Sequence, residues 1–137
     1  ALATRIARAE RDGVGEIPVG SLTAVRDLSD VRDVVRAYLL AFERCTAGET
    51  YNVTSGKPMV IKAGVDYLCG LSRVPIEVRS SAAKFRPHDI PLLTGDPSKF
   101  AAATGWKPEI PYEKTLRDLL DYWRQRVVTE GNRLLTR

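Results

Sequence analysis

The stretch VRDLSDVRDVVRAY, residues 25–38, sets the fold, because it predicts a short extended segment that leads into an amphipathic helix. Over Val31–Arg44 the apolar residues recur at the three- and four-residue spacing of one buried helix face. Ser29 or Asp30 can cap the first turn, because the side-chain oxygen accepts a hydrogen bond from an otherwise unpaired backbone N–H. The stretch also carries Arg26, which stands directly ahead of the helix.

Short strands and helices alternate on both sides of this stretch. The predicted elements are, in chain order, the helix Ala1–Asp12, the strand Glu16–Gly20, the extended segment Leu22–Leu28, the helix Val31–Arg44, the buried strand Thr50–Thr54, the helix Ile61–Leu71, the edge strand Pro75–Arg79, the irregular segment Ser80–Thr94, a short helix opened by Asp96 and Pro97 and closed by Gly105, and the helix Tyr112–Val127. This alternation indicates an α/β fold with few short strands and about five helices. Because the strands are few and short, we expect some of them to belong to a larger sheet that this chain does not contain.

Composition and charge restrict the class of protein. The chain has 137 residues, 44% of them hydrophobic and 28% charged, which is typical of one soluble globular domain. Its apolar runs are too short to span a membrane, and its N-terminus lacks the apolar block of a secretory signal, so we expect a cytoplasmic protein. Most of the net charge of +4 lies in residues 124–137, which favours a solvated basic tail over a nucleic-acid interface.

The usual catalytic and metal-binding motifs are missing from the sequence. No tyrosine is followed four residues later by lysine, and no Gly-rich nucleotide loop or P-loop occurs. Cys45 and Cys69 stand far apart and His88 is the single histidine, which favours reduced thiols over a disulfide or a zinc site. We therefore predict no catalytic residue and no metal ligand in this chain.

Two arginines stand out, because a guanidinium presents five donors in a planar fork that matches phosphate oxygens. For Arg26 the alternative is a structural ion pair with its neighbour Asp27. Arg86 precedes Pro87, which restricts it to an extended backbone; this either aims the side chain or simply shapes a turn. The two arginines together suggest that the chain grips a diphosphate.

Two polar residues complete the candidate set. Asp89 follows Arg86 by three positions, and its carboxylate either accepts hydrogen bonds from sugar hydroxyls or belongs to a turn. Asn52 lies where the predicted strand Thr50–Thr54 ends. Ligands of α/β sheets sit outside the carboxyl ends of strands, so Asn52 either lines a pocket or satisfies nearby backbone groups.

Three ordered motifs then make the chain resemble a known family. They are IPVGSLTAVRDLSDVRDVVRAY, GETYNVTSGK and KFRPHDIPLLTGDPSKFAAATGWKPEIPYEKTLRDLLDYW. They resemble the C-terminal half of the extended short-chain dehydrogenases/reductases that act on nucleotide sugars, and among these GDP-mannose 4,6-dehydratase and GDP-4-keto-6-deoxy-mannose reductase. The resemblance implies the substrate-binding portion of an extended Rossmann-type fold over residues 1–124, followed by a basic tail over residues 125–137.

The resemblance implies roles for the candidate residues. The matching family segments hold the substrate diphosphate with two arginines, here Arg26 and Arg86, and the ribose with an acidic residue, here Asp89. The family binds NAD or NADP in an N-terminal Rossmann half, which also carries its Tyr-x-x-x-Lys pair. We therefore expect no cofactor in this chain and no redox activity from it alone. The expected ligand is a nucleotide sugar, with a GDP-sugar favoured.

Departures from the family pattern leave the reaction open. Ser21 stands where the dehydratase pattern has Asn, Leu28 stands where it has Trp, and His88 and Asp89 replace a Thr-Glu pair. Leu28 and the His88–Asp89 pair lean toward the reductase or a general epimerase/dehydratase. A 4,6-dehydratase and a 4-reductase both stay possible.

The resemblance also predicts an incomplete surface. In the complete fold, the helix Val31–Arg44 and the strand Thr50–Thr54 pack into the Rossmann layer. Alone they leave an apolar patch, so we expect a homo-oligomer or docking on a separate Rossmann half. A non-enzymatic, self-associating interaction module derived from this fold is the alternative, and a nucleic-acid binder acting through the arginine tail ranks last.

Overall fold

The computed structural model describes residues 2–13, 15–81 and 90–130. Its elements are α1 (Leu2–Asp12), β1 (Glu16–Val19), β2 (Val25–Asp27), α2 (Val31–Arg44), β3 (Pro58–Val60), α3 (Ile61–Gly70), β4 (Glu77–Ser80), β5 (Leu92–Leu93), α4 (Ser98–Thr104) and α5 (Tyr112–Glu130). The mixed α/β class with five helices in the described ranges confirms the predicted fold class. Within those ranges, no helix is both long and apolar enough to cross a membrane.

The described strands form two small sheets. In the first, β1 pairs in parallel with β4, in a register that runs from Glu16 opposite Glu77 to Val19 opposite Ser80. In the second, β2 is the central strand of three, antiparallel to β3 and parallel to β5. The second sheet therefore brings together three segments that are distant in sequence.

The larger core lies between α1, α3 and α5. Ile6, Ile17, Leu120 and Val127 are at most 1% exposed within it. Arg124 ties α5 to α1, because its Nη2 and Nε donate to the Glu10 carboxylate at 2.6 and 2.8 Å. The hydrogen bond from Arg124 lowers the pKa of Glu10 despite the opposing effect of burial. Because Val127 belongs to this core, α5 remains part of the packed fold beyond residue 124.

A second core joins α2 to α4 and to the connector that follows α4. Ala37, Phe100 and Trp106 are buried there, with the Phe100 and Trp106 ring centroids 5.7 Å apart. The indole Nε1 of Trp106 donates to the Asp33 carbonyl at 3.1 Å, which satisfies its polar atom inside the core. This core fixes the buried side of α2.

The apolar stripe of α2 is exposed, which corrects the predicted buried face. Its members are 52–93% exposed; they are Val31, Val35, Tyr38, Leu39 and Phe42. The opposite face, with Asp33 and Ala37, is the one that packs inward. Periodicity located an apolar face correctly, but nothing in the described part of the chain covers it.

The segment Thr50–Thr54 is not a strand, so that prediction is wrong. A strand needs a neighbour for its backbone groups, and none of the described strands pairs with this segment. The segment is held by other contacts. Lys99 Nζ donates to the Thr50 carbonyl at 2.9 Å, and the Tyr51 ring packs edge-on against Phe100.

Candidate functional site

Arg26 lies at the middle of the central strand β2. Its ladder partners are Met59 on β3 and Leu93 on β5, so the three side chains share one face of the sheet. Arg26 is half-buried, and its Nη1 donates to the Val25 carbonyl at 2.8 Å. The Val25 N–H donates to the Pro91 carbonyl at 2.8 Å, which anchors the chain just ahead of β5.

Two clefts border this sheet. The first, called here the Asn52 cleft, has a volume of about 430 Å³ and is lined by residues 51–54, 93–95 and Asp27. The second, called here the Lys57 cleft, has a volume of about 390 Å³. It lies between residues 28–30, residues 55–59 and the segment 108–115. Both volumes fall in the range of small-molecule sites.

A close backbone approach shapes the Asn52 cleft. Gly95 lies so near Thr54 that a Cβ on Gly95 would stand 2.8 Å from Thr54 Cγ2. Only a residue without a side chain fits there unless Thr54 moves. Asn52 is exposed at the rim, so its amide is available as both donor and acceptor.

Asp27 joins the two clefts. Its Oδ1 accepts hydrogen bonds from the backbone N–H and the hydroxyl of Ser55 at 2.9 and 2.5 Å, and its Oδ2 accepts the Gly56 N–H at 2.8 Å. Burial alone would raise the pKa of Asp27, but the hydrogen bonds from Ser55, Thr54 and Gly56 outweigh it and lower that pKa. The carboxylate therefore stays ionised near neutral pH.

The buried end of the Lys57 cleft holds an ionised carboxylate. Asp30 caps α2 by accepting the Arg32 N–H at 2.8 Å, and it also accepts the Thr115 hydroxyl at 2.7 Å. The Arg32 guanidinium donates to both Asp30 oxygens and, with Thr115, holds the pKa of Asp30 well below its usual range although burial opposes this. This carboxylate is a structural anchor, because its acceptor positions are occupied.

A second buried carboxylate fixes the far wall of that cleft. Asp33 Oδ2 accepts the backbone N–H groups of Glu109 and Ile110, each at 3.0 Å, and Asp33 Oδ1 accepts from Arg36. Burial raises the pKa of Asp33, but the Arg36 guanidinium and the two backbone donors outweigh burial and lower it. The connector after α4 is thereby held against the first turns of α2.

The predicted site residues divide into two groups. Arg26 and Asn52 lie in the described part, at the sheet centre and at the cleft rim. Arg86 and Asp89, like His88, lie outside the described residues, so their convergence with Arg26 stays a prediction. Among the described residues, no group of three or more His, Cys, Asp or Glu side chains is arranged to hold a metal ion.

Sequence reasoning missed the role of Asp27, which it treated as a possible ion-pair partner of Arg26. The carboxylate bonds to a turn 28 positions away, and no local pattern reports so distant a contact. One signal was available. The sequence SGKP at residues 55–58 is typical of a turn, and a turn with two adjacent N–H groups attracts an acceptor.

Comparison with known proteins finds enzymes that are named for GDP-linked sugars. A family model described as GDP-mannose 4,6 dehydratase matches residues 2–119. The GDP-6-deoxy-D-mannose reductase of Pseudomonas aeruginosa is 34% identical over 83% of this chain and 38% of that protein. The GDP-mannose 4,6-dehydratase of Yersinia enterocolitica is 23% identical over 74% of this chain and 35% of that protein.

Solved structures agree with these matches. The structure of RMD from Pseudomonas aeruginosa, complexed with NADPH, aligns with a TM-score of 0.83 at 34% identity, over 92% of this chain and 41% of that one. A UDP-glucose-4-epimerase from Stenotrophomonas maltophila aligns with a TM-score of 0.76 at 22% identity, over 94% of this chain and 41% of that one, which shows a common fold. This chain thus spans about two fifths of the length of its relatives.

Proposed function

The chain belongs to the GDP-mannose 4,6-dehydratase family, and from this membership we propose that it binds a nucleotide sugar, with a GDP-sugar favoured. In this proposal it is the substrate-binding portion of a 4,6-dehydratase or a 4-reductase. The 137 residues contain neither a Gly-rich cofactor loop nor a Tyr-x-x-x-Lys pair. They therefore transfer no hydride by themselves, and NAD or NADP binds to a Rossmann half supplied by other residues.

The position of Arg26 in the three-stranded sheet is the observation that carries the proposal. Pro91, which leads into β5, bonds directly to Val25, the neighbour of Arg26. Arg86 precedes Pro91 by five residues, and an extended chain covers at most about 3.6 Å per residue. This connection is short enough that, in the proposal, the guanidinium groups of Arg26 and Arg86 meet on one diphosphate.

The energies involved are large enough to give measurable binding. A hydrogen bond from a charged donor contributes about 1.5–3 kcal/mol, and an arginine fork can place two on one phosphate. In the proposal Arg26 and Arg86 each hold one phosphate, Asp89 accepts from ribose hydroxyls, and Asn52 contacts the ligand from the rim of its cleft. Two such clamps offset the entropy lost on binding.

Calorimetry on the 137-residue chain tests this function. GDP and GDP-mannose should bind, and UDP should bind more weakly. Arg26→Ala and Arg86→Ala should each weaken GDP binding by at least about tenfold, which corresponds to about 1.4 kcal/mol. Arg73→Ala removes an exposed arginine from a loop outside both clefts and serves as the control. No binding of any of the three nucleotides, or equal binding by all variants, would refute the function.

The exposed stripe of α2 supports a second part of the proposal. We infer that this face docks on a Rossmann half or, without one, on a second copy of the chain. Phe42 is 93% exposed, and Tyr38 and Leu39 are each 65% exposed. Contiguous apolar surface of this kind marks an interaction site in soluble proteins. The self-associating interaction module of the alternative hypothesis would use the same face and bind no nucleotide.

A further inference from the structure

One carboxylate, Asp27 in the wall of the Asn52 cleft, holds a turn whose Ser55 lines the Lys57 cleft. Asp27 bonds to both the backbone N–H and the hydroxyl of Ser55 and to the N–H of Gly56. Gly56 has a left-handed backbone with φ of 67°, which favours glycine. The Ser55–Gly56 turn therefore keeps its shape through a single side chain that lies on another element.

This contact also closes the end of a strand pair. The β2–β3 ladder ends where Asp27 stands opposite Pro58, and proline has no N–H to donate to the ladder. The bonds from Asp27 to Ser55 and Gly56 tie down the chain just before that proline. The next pair inward is Arg26 opposite Met59. The hydrogen bonds of Asp27 therefore lie one ladder position from Arg26, the arginine of the proposed site.

The same contact helps to hold the segment that carries Asn52. The segment that carries Asn52 has no ladder partner among the described strands, and it is held at its two ends. At one end, Lys99 bonds to the Thr50 carbonyl. At the other end, Asp27 holds the turn that begins at Ser55. Tyr51 and Val53 also pack against the second core, so loss of the second anchor would loosen the cleft wall at the end where it meets the turn.

We propose that Asp27 is a positioning residue for nucleotide-sugar binding, an inference that rests on the proposed function. Asp27 does not touch the ligand in this role. Its two oxygens already accept bonds from Ser55 and Gly56, so little acceptor capacity is left for a substrate. It acts by keeping Asn52 and the end of the β2–β3 ladder in the geometry that the ligand meets.

Binding of GDP to single variants is the first test. Asp27→Asn keeps the side-chain shape but replaces one acceptor by an NH₂ group that faces a donor, so GDP affinity should fall about tenfold. Asp66→Asn makes the same change in an exposed ion pair on α3 and should keep GDP affinity within about twofold. Wild-type affinity in Asp27→Asn would overturn the inference.

A double-variant cycle separates positioning from general destabilisation. Ser55→Ala removes one donor, should weaken GDP binding about threefold, and remains usable if Asp27→Asn fails to fold. Because both changes break the same contact, their combined effect on GDP affinity should be smaller than the product of the single effects. Fully independent effects, or wild-type affinity in Ser55→Ala, would contradict the inference.

Amide hydrogen exchange supplies a readout that does not need a ligand. In Asp27→Asn, the Ser55 and Gly56 amides should exchange at least about tenfold faster, while the amides of the middle of α5 keep their rates. Unchanged protection at the two turn amides would show that Asp27 does not hold the turn. If the wild-type chain failed to bind GDP, the proposed function would fail, and this measurement would still decide whether Asp27 fixes the turn.

Discussion

At the residue scale, Arg26 shares its sheet face with two apolar neighbours. Met59 and Leu93 flank it on β3 and β5, and its Nη1 donates to the Val25 carbonyl at 2.8 Å. A guanidinium supported in this way offers its fork in a restricted set of orientations. Such restriction favours bidentate phosphate binding over a diffuse charge effect.

The first prediction concerns the planar guanidinium of Arg26, as distinct from its positive charge. Arg26→Lys keeps the charge but loses the planar fork, so GDP affinity should fall about tenfold while the free energy of unfolding changes by about 1 kcal/mol or less. Calorimetry and urea denaturation of the two chains measure these effects. Arg73→Lys is the matched control. Wild-type affinity in Arg26→Lys would show that only charge matters there.

The second prediction concerns the close approach at Gly95. In Gly95→Ala the new methyl would stand 2.8 Å from Thr54 Cγ2, so the free energy of unfolding should fall by about 1–3 kcal/mol. Adding Thr54→Ser removes that methyl and should restore part of the loss. Gly70→Ala meets no atom within 4 Å and is the control. Thermal denaturation compares the four chains, and equal stability of Gly95→Ala and wild type would refute the contact.

At the scale of elements, α2 shows what its sequence could and could not predict. Its bounds Val31–Arg44 were predictable to the residue, because Asp30 supplies a cap and the apolar spacing continues without a break. Its buried side was not predictable. Periodicity identifies an apolar face but not the surface that covers it, and here the covered face is the one with Asp33 and Ala37.

The third prediction is the acid sensitivity of the α2 cap. Hydrogen bonds from Arg32 lower the pKa of Asp30 in the folded chain relative to its unfolded value of about 3.9. A lowered folded pKa gives stability that is complete above the unfolded value and is lost as the pH falls below it. The free energy of unfolding should therefore decrease as the pH falls below about 4.

Urea denaturation between about pH 3 and pH 7 measures this effect. Asp30→Asn has no charge to titrate at this position, so its stability should be lower at neutral pH and should depend less on pH over the acid range. Asp121→Asn, on an exposed carboxylate of α5, is the control and should keep the wild-type pH dependence. An identical acid slope in Asp30→Asn and wild type would contradict the prediction.

At the scale of the whole molecule, the fold class was predictable from the sequence, but the contacts that hold the cleft walls were not. Motif order and helix periodicity were sufficient for the fold class, whereas the roles of Arg26 and Asn52 stay predictions. The contacts that organise the clefts were not predictable, because Asp27, Asp30 and Asp33 reach partners 28, 85 and 76 positions away. Acidic residues near a helix start look alike in sequence, and only the tertiary fold distinguishes their partners.

The exposed apolar face of α2 predicts that the chain associates, and this association can be measured. Full burial of a side chain such as Leu39 or Phe42 gains about 1.5–3 kcal/mol, so several together favour association over exposure to water. In sedimentation velocity the isolated chain should associate with rising concentration. Leu39→Asp and Phe42→Asp should each shift it toward the monomer, because docking would bury an unpaired charge.

The control for the α2 face is Val128→Asp, which places the same charge at a 78% exposed apolar position on α5. That variant should associate as the wild type does if α2 is the contact face. If the wild-type chain were a monomer at every concentration, self-docking would be excluded. If all three variants weakened association equally, α2 would not be the contact face. Leu39 and Phe42 line neither cleft, so their variants should keep wild-type affinity for GDP. Assembly and ligand binding can therefore be tested separately in one set of chains.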